Sequence, residues 1–179
     1  MAAKILPDLA LLRQIFRYDA EQGVLYHATR PLSMFKNERY WRAWHTKYSG
    51  KPISNNQGRG YSVVSIAGPS YPISRVVYKL HHGIEPPAVV DHVNGNTHDN
   101  RIANLRGATW AQNLMNRPRQ SNNKTGYKGV YWCSHFNRFV AQICANGRVI
   151  SLGKFKSAEA ARDAYAAAAR KYHGEFAKS

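Results

Sequence analysis

The apolar positions change period several times along the chain, and each change marks an expected element. Leu11, Leu12, Ile15 and Phe16 fall at helical spacing behind Asp8, a good capping side chain, so a short helix is expected over Leu9–Tyr18. A turn at Gly23 leads into a strand through Val24, Leu25 and Tyr26. Gly60–Ile66 and Tyr71–Ile73 have strand character on either side of the turn formers Ala67-Gly68-Pro69-Ser70, which predicts a hairpin. Helical spacing returns over Arg75–His82, where Val76, Val77 and Leu80 share a face, and stops at Gly83. His81 and His82 sit at that helix end, where the dipole favours them. Further on, Gly129–Trp132, Phe139–Cys144 and Arg148–Leu152 read as three short strands, the last two joined by Asn146-Gly147, a strong hairpin signal. The last element is the clearest. Ser157 is placed to cap an alanine-rich helix, Ala160–Tyr172, with Glu159 in its first turn. Arg170, Lys171 and His173 complement its C-terminal dipole, and Gly174 closes it. Ala161, Ala164, Tyr165, Ala168 and Tyr172 form one face that can lie on the three strands. The fold class is therefore α+β, ending in a three-stranded antiparallel sheet packed on one helix.

Charge changes the picture next. Twenty-six Lys and Arg against ten Asp and Glu give a formal charge of +16, which calls for a polyanionic partner. From Arg101 through Lys128 the chain carries Arg101, Arg106, Arg117, Arg119, Lys124 and Lys128 and no carboxylate, a strip suited to phosphates. Within it, residues 117–126 are polar apart from Pro118 and read as a basic linker. Earlier, Tyr40, Trp41, Trp44 and Tyr48 interleave with Arg39, Arg42, His45 and Lys47, which suits stacking on bases. The plainer reading is that the tryptophans fill a thin core. No apolar run is long enough to span a bilayer, and no signal segment opens the chain, so a cytoplasmic protein is expected. Two cysteines, Cys133 and Cys144, with no Cys-x-x-Cys pair, make zinc and disulfide scaffolds poor readings.

Chemistry concentrates in Val89–Arg106 and on to Asn113. Cleaving a phosphodiester requires a base for water, a counter-charge for the phosphate and help for the leaving oxygen. Asp91 beside His92, at the end of a short apolar strand, offers a hard oxygen ligand next to an imidazole. Asn94-Gly95-Asn96 supply the turn that this placement requires. Asn113, on a helix starting near Thr109, offers a second oxygen, and so sparse a set suits hydrated Mg²⁺ while tolerating Mn²⁺. An EF-hand is excluded, because Val93 and Gly95 occupy its third and fifth positions. His98 reads as an exposed turn residue.

Asp91-His92, Asn104 twelve positions on and Asn113 nine beyond that resemble the HNH (ββα-metal) endonuclease motif, in its phage and intron-encoded branch. The upstream Phe16-Arg17-Tyr18-Asp19, Gly23-Val24-Leu25, Gly60-Tyr61 and Arg75-Val76-Val77-Tyr78 are similar to the same nucleases. The resemblance implies an N-terminal extension over 1–55, the nuclease domain over 56–116, the linker over 117–126 and a further domain over 127–179. It implies His92 as general base, Asp91 and Asn113 as metal ligands, Asn104 as a brace for the loop, and Arg101 and Arg106 on the scissile phosphate. Where related nucleases carry a His before the Arg-Val-Val stretch, this chain has Ser74, which is given no catalytic role. The zinc-binding cysteine pairs of many such enzymes are missing, so no zinc is expected.

Residues 122–177, with Lys124-Thr125-Gly126-Tyr127-Lys128-Gly129-Val130 and Leu152-Gly153-Lys154-Phe155, look like the Apetala-two (ethylene-response-factor) DNA-binding domain. In that family a three-stranded sheet enters the major groove with a helix behind it. Alternation turns Val130, Phe139, Ala141, Ile143, Ile150 and Leu152 inward and leaves Tyr131, Arg138, Gln142 and Ser151 for DNA, with Lys128, Arg148 and Lys154 at the edges. The face is poorer in Arg than its plant relatives, which weakens guanine reading. The expectation is a Mg²⁺-dependent endonuclease on double-stranded DNA, nicking or homing-type, and monomeric unless double-strand cutting requires a dimer. The rivals are a DNA-binding regulator with an inactive nuclease fold and an RNA-binding protein.

Overall fold

The computed structural model describes residues 4–53 and 60–178. They fall into two compact units, Met1–Thr109 and Trp110–Ser179. The boundary expected at residues 55 and 56 lies outside the described residues. No described helix is long and apolar enough to cross a membrane.

The first unit opens with α1 (Leu9–Ile15), where the Asp8 carboxylate accepts from the Ala10 amide at 3.2 Å. The helix ends short of the expected Tyr18. Phe16 turns extended, and Phe16–Asp19 forms β1, paired antiparallel with β2 (Val24–His27). Ile15 and Phe16 are both buried, so the apolar run satisfies either period, and the pairing to β2 selects the strand. Then come α2 (Glu38–Tyr48) and the expected hairpin, β3 (Val63–Ser65) with β4 (Ser70–Pro72). The helix α3 (Ile73–His82) starts two residues before its apolar spacing begins and stops at Gly83, which is left-handed with φ 73°. A third antiparallel ribbon follows, β5 (Val89–His92) with β6 (Leu105–Ala108).

These ribbons share one core. Leu12, Phe16 and Leu25 meet Val64, Ile66, Ile73, Val76 and Val77, and the cluster runs on to Val90 and Leu105 of the third ribbon. Val76 and Val77 are wholly enclosed, each contributing about 1.5–3 kcal/mol. The Glu85 carboxylate fastens the start of the chain to α3, accepting from the Leu6 amide at 3.0 Å and from Lys79 Nζ at 2.6 Å.

The second unit holds α4 (Trp110–Asn116), the sheet β7 (Val130–Cys133), β8 (Arg138–Ala145) and β9 (Arg148–Phe155) in the order β7-β8-β9, and α5 (Ala158–His173). Asn146 and Gly147 both take positive φ, 52° and 73°, as a two-residue turn between right-twisted strands requires. Ser157 caps α5 through the Ala160 amide at 3.2 Å. Val130, Ala141 and Ile143 pack on Ala161, Tyr165, Ala168 and Ala169, with Phe139, Ile150 and Leu152 at the margin. The inward row thus matches the alternation. Three details differ from expectation. Tyr172 is 40% exposed rather than on the sheet. His173 is buried, with Nε2 2.9 Å from the Cys144 carbonyl, so it ties helix to sheet. The end of the polar stretch 117–126 is an ordered turn. There the Asn123 amide donates to the carbonyls of Tyr127 and Val130 while its oxygen accepts from the Thr125 and Gly126 amides.

One turn constrains the loop that follows β5. Gly23 has φ 71°, and a Cβ there would overlap the backbone of Asn100 and Arg101. Gly50 has φ 70° with open space around it. Gly50→Ala is expected to cost about 1–2 kcal/mol, the left-handed penalty alone. Gly23→Ala should cost on the order of 3–4 kcal/mol, because the loop must also shift. Thermal unfolding of both variants checks the ordering, and equal losses would show that the close approach carries no energy.

Candidate active site

All four residues of β5 are buried, two of them polar. Burying a carboxylate is costly unless a partner is supplied. Arg106 stands directly opposite Asp91 in the β5–β6 register, and its Nη2 and Nε each lie 3.0 Å from Asp91 Oδ2. Opposite charges on facing strand positions also favour this register. The structure therefore commits Arg106 to Asp91, whereas the sequence pointed it at a phosphate.

His92 ends β5, and the chain turns at once, with the Gly95 amide 2.8 Å from the His92 carbonyl. The excursion from Asn94 to Asn104 is closed by the Val93 amide on the Asn104 carbonyl at 2.9 Å and by the Asn104 side chain. Asn104 Oδ1 accepts from the Asn94 amide at 2.9 Å, and its Nδ2 donates to the Asp99 carbonyl at 2.8 Å, so it bridges both limbs. Arg101 grips the Asp99 carboxylate at 2.8 and 2.6 Å, and Asn94 Nδ2 joins it at 2.8 Å. The Arg101 hydrogen bonds hold the Asp99 carboxyl down to about 2. His98 is half-buried, with Nδ1 3.1 Å from Ser62 Oγ, rather than in an exposed turn position. Ser74 is buried in α3.

The orientation of His92 follows from its neighbours. Its Nε2 lies 3.3 Å from Asn100 Oδ1. Asn100 Nδ2 faces the His98 carbonyl at 3.4 Å, and a carbonyl only accepts, so the amide oxygen is the atom presented to His92. Nε2 then carries the proton and donates, which makes Nδ1 the basic nitrogen. Asn100 is itself 2% exposed, and its carbonyl accepts from Tyr18 Oη at 2.7 Å. Burial pushes the Tyr18 hydroxyl up to about 12, so it remains a donor at any working pH. Burial also lowers the His92 pKa, leaving the imidazole neutral at pH 7. The ring of Tyr61 flanks it at 6.1 Å. Tyr18 and Asn100 had no assigned role in the sequence. The Asp-Asn-Arg wording of the motif was the available signal for Asn100, and the Phe16-Arg17-Tyr18-Asp19 wording carried Tyr18 without pointing to its partner.

Asn113 lies half-buried on α4 in the second unit. Arg117 and Arg119 are exposed there. On the sheet, Tyr131, Gln142, Arg148, Ser151 and Lys154 are exposed and Arg138 is half-buried, while the Lys154 ammonium sits over the Phe136 ring. Lys128 is different. Its ammonium turns to the Met115 carbonyl, and burial lowers its pKa to about 8, so it serves as an internal tie.

Among the described residues no three His, Cys, Asp or Glu side chains gather as metal ligands. The donors at β5 are of the right kind for a hydrated hard cation: one carboxylate held rigidly at a strand end, with an imidazole beside it.

Residues 71–123 match the HNH endonuclease family model, and residues 125–175 match the AP2 domain model. An uncharacterised HNH endonuclease of Acanthamoeba polyphaga mimivirus is 30% identical over 136 residues, which covers 75% of this chain and 64% of that protein. The chain thus spans just under two thirds of that relative's length. No solved structure matches the chain.

If Asn100 positions the imidazole, Asn100→Ala should slow DNA cleavage on the order of 10–100-fold. Asn100→Asp keeps the acceptor and should retain more of the rate. Burial holds the His92 pKa below its ordinary value, and the added carboxylate favours the imidazolium, so the acid limb of the pH–rate profile should move to higher pH than in the parent. An unchanged rate and profile in Asn100→Ala would remove Asn100 from this role.

Proposed function

We propose that this chain, in which an HNH endonuclease domain is followed by an AP2 domain, is a divalent-metal-dependent endonuclease that hydrolyses phosphodiester bonds of double-stranded DNA. The observation that carries the reading is the buried pair at the end of β5, with His92 held by Asn100 and Asp91 held by Arg106. His92, protonated on Nε2, takes a proton from water at Nδ1. The water attacks phosphorus in line with the departing 3′-oxygen, leaving 5′-phosphate and 3′-hydroxyl ends. Asp91 and, from its place in the motif, Asn113 are the oxygen donors for Mg²⁺ or Mn²⁺, which when bound would neutralise charge on the phosphate and the leaving oxygen. Asn104 acts at one remove by keeping the loop closed, and Arg106 by fixing the Asp91 carboxylate. Arg101 stands on the exposed side of the loop, 55% exposed while paired to Asp99, where it can also meet a phosphate.

One such site per chain favours nicking of one strand. The exposed row of the AP2 sheet, Tyr131, Gln142 and Ser151 with Arg148 and Lys154, supplies a second hold on DNA and gives the cut a preferred location, as homing-type cleavage requires. A specific observation favours one alternative, a DNA-binding regulator: Arg106 already neutralises Asp91.

Supercoiled-plasmid cleavage with Mg²⁺, with EDTA and with His92→Ala separates the two. Metal-dependent nicking that falls roughly 10²–10⁴-fold in His92→Ala is expected. Intact binding without metal-dependent cutting under any condition would establish the regulator instead.

A further inference from the structure

The helix α2 is the one long helix of the first unit that contributes no buried residue. It is held from one side. Trp41, Trp44, His45 and Tyr48 are half-buried and share one face. Trp41 Nε1 donates to the Arg30 carbonyl at 2.9 Å, the Arg30 guanidinium lies 4.3 Å above the Trp44 ring, and the Arg30 amide donates to His45 Nε2 at 3.3 Å. The interleaved aromatic and basic residues of the sequence thus separate in space, and the aromatics serve packing.

What remains points outward. At helical spacing Arg42, Thr46, Arg39, Ala43 and Lys47 form a continuous exposed arc, with small Ala43 and Thr46 at its middle and cations on both sides. Lys36 and Lys51 extend the charge beyond the two helix ends, and both are exposed. Glu38 is the only carboxylate in the stretch and is bound to Arg42 at 2.7 Å, which leaves Arg39, Lys47, Lys36 and Lys51 uncompensated by any acid of this segment.

We propose that this outer face of α2 is a further DNA-contact surface, which tracks the phosphate backbone of a duplex. The inference rests on the reading of the chain as a DNA-cutting protein, and the chemistry selects the occupant. Single-strand binders present aromatic platforms on which bases stack. Here the aromatic stripe is turned inward and only Tyr40, at the edge of the arc, remains 57% exposed. Small residues between cations let the helix approach a backbone closely while ammonium and guanidinium groups reach phosphate oxygens. Contacts of this kind position the duplex without reading its sequence.

The test measures equilibrium binding of the full chain to a fluorescent duplex over a range of salt, in EDTA, so that binding is read whether or not the chain cuts. Arg39→Ala/Lys47→Ala removes two exposed cations, one of them 5.1 Å above the Tyr48 ring, and keeps every aromatic side chain of the stripe. Binding should weaken on every duplex sequence, and the slope of log K against log salt should become shallower by about 2. Arg170→Ala/Lys171→Ala, an equal loss of charge at the exposed end of α5, is the control and should leave the slope unchanged. Thermal unfolding should show both variants folded, each with only the small loss expected from cations removed near a helix C-terminus. A parental slope in the α2 variant overturns the proposal, as does an equal loss in the control, which would reduce the effect to net charge. A larger loss on a structured RNA hairpin than on the duplex would overturn the assignment to DNA. Failure of the plasmid to be nicked, with the α2 slope change present, would count against the nuclease reading and leave this surface standing.

Discussion

A strand that is buried at every position has to find an internal partner for each polar group it carries, and β5 carries a carboxylate and an imidazole side by side. The solutions come from different directions. Arg106 arrives through strand register, so the charge on Asp91 is answered by the neighbouring strand of the same ribbon. Asn100 arrives through the loop, and it brings the N-terminal hairpin with it by way of Tyr18. Each removes a freedom that the buried side chain would otherwise have, rotation of the carboxylate in one case and choice of tautomer in the other.

The two units divide the labour in a way their cores allow. Each core is small. The first unit spends its aliphatic residues on joining three ribbons to α3, and its aromatic residues on attaching α2 from outside. The second spends one face of a three-stranded sheet on α5, which frees the other face. Helix and sheet alike thus keep one face for packing and turn cations such as Arg39, Lys47 and Lys154 to the solvent side.

Much of this was legible from sequence because it is periodic or punctuated. The α5 cap at Ser157, the Asn146-Gly147 turn and the inward row of the sheet follow from spacing alone. The residues flanking His92 were recognisable as a motif. What escaped was set by contacts distant in sequence. The end of α1 depended on β2, because Ile15 and Phe16 suit helix and strand equally. Arg106 looked like a phosphate ligand because its register partner was unknown, and Lys128 looked like a surface cation until the Met115 carbonyl was placed beside it. The polar run before Tyr127 had the composition of a linker, yet the Asn123 amide finds four partners within a few residues. The hydrogen bond from Tyr18 spans 82 positions, beyond the reach of any local pattern.

That span has a consequence for how the molecule becomes active. Local turns and hairpins form early in folding, while contacts between remote segments wait for loop closure to be repaid. The fit of Gly23 against Asn100 and Arg101, with the Tyr18 bond beside it, belongs to the late class. A chain still emerging from the ribosome, or one clipped near its start, can make the β5–β6 ribbon and still lack the support that gives its imidazole a fixed tautomer. The hydrogen-bonded support of His92 is therefore complete only when the N-terminal hairpin has met a loop 82 positions further along the chain.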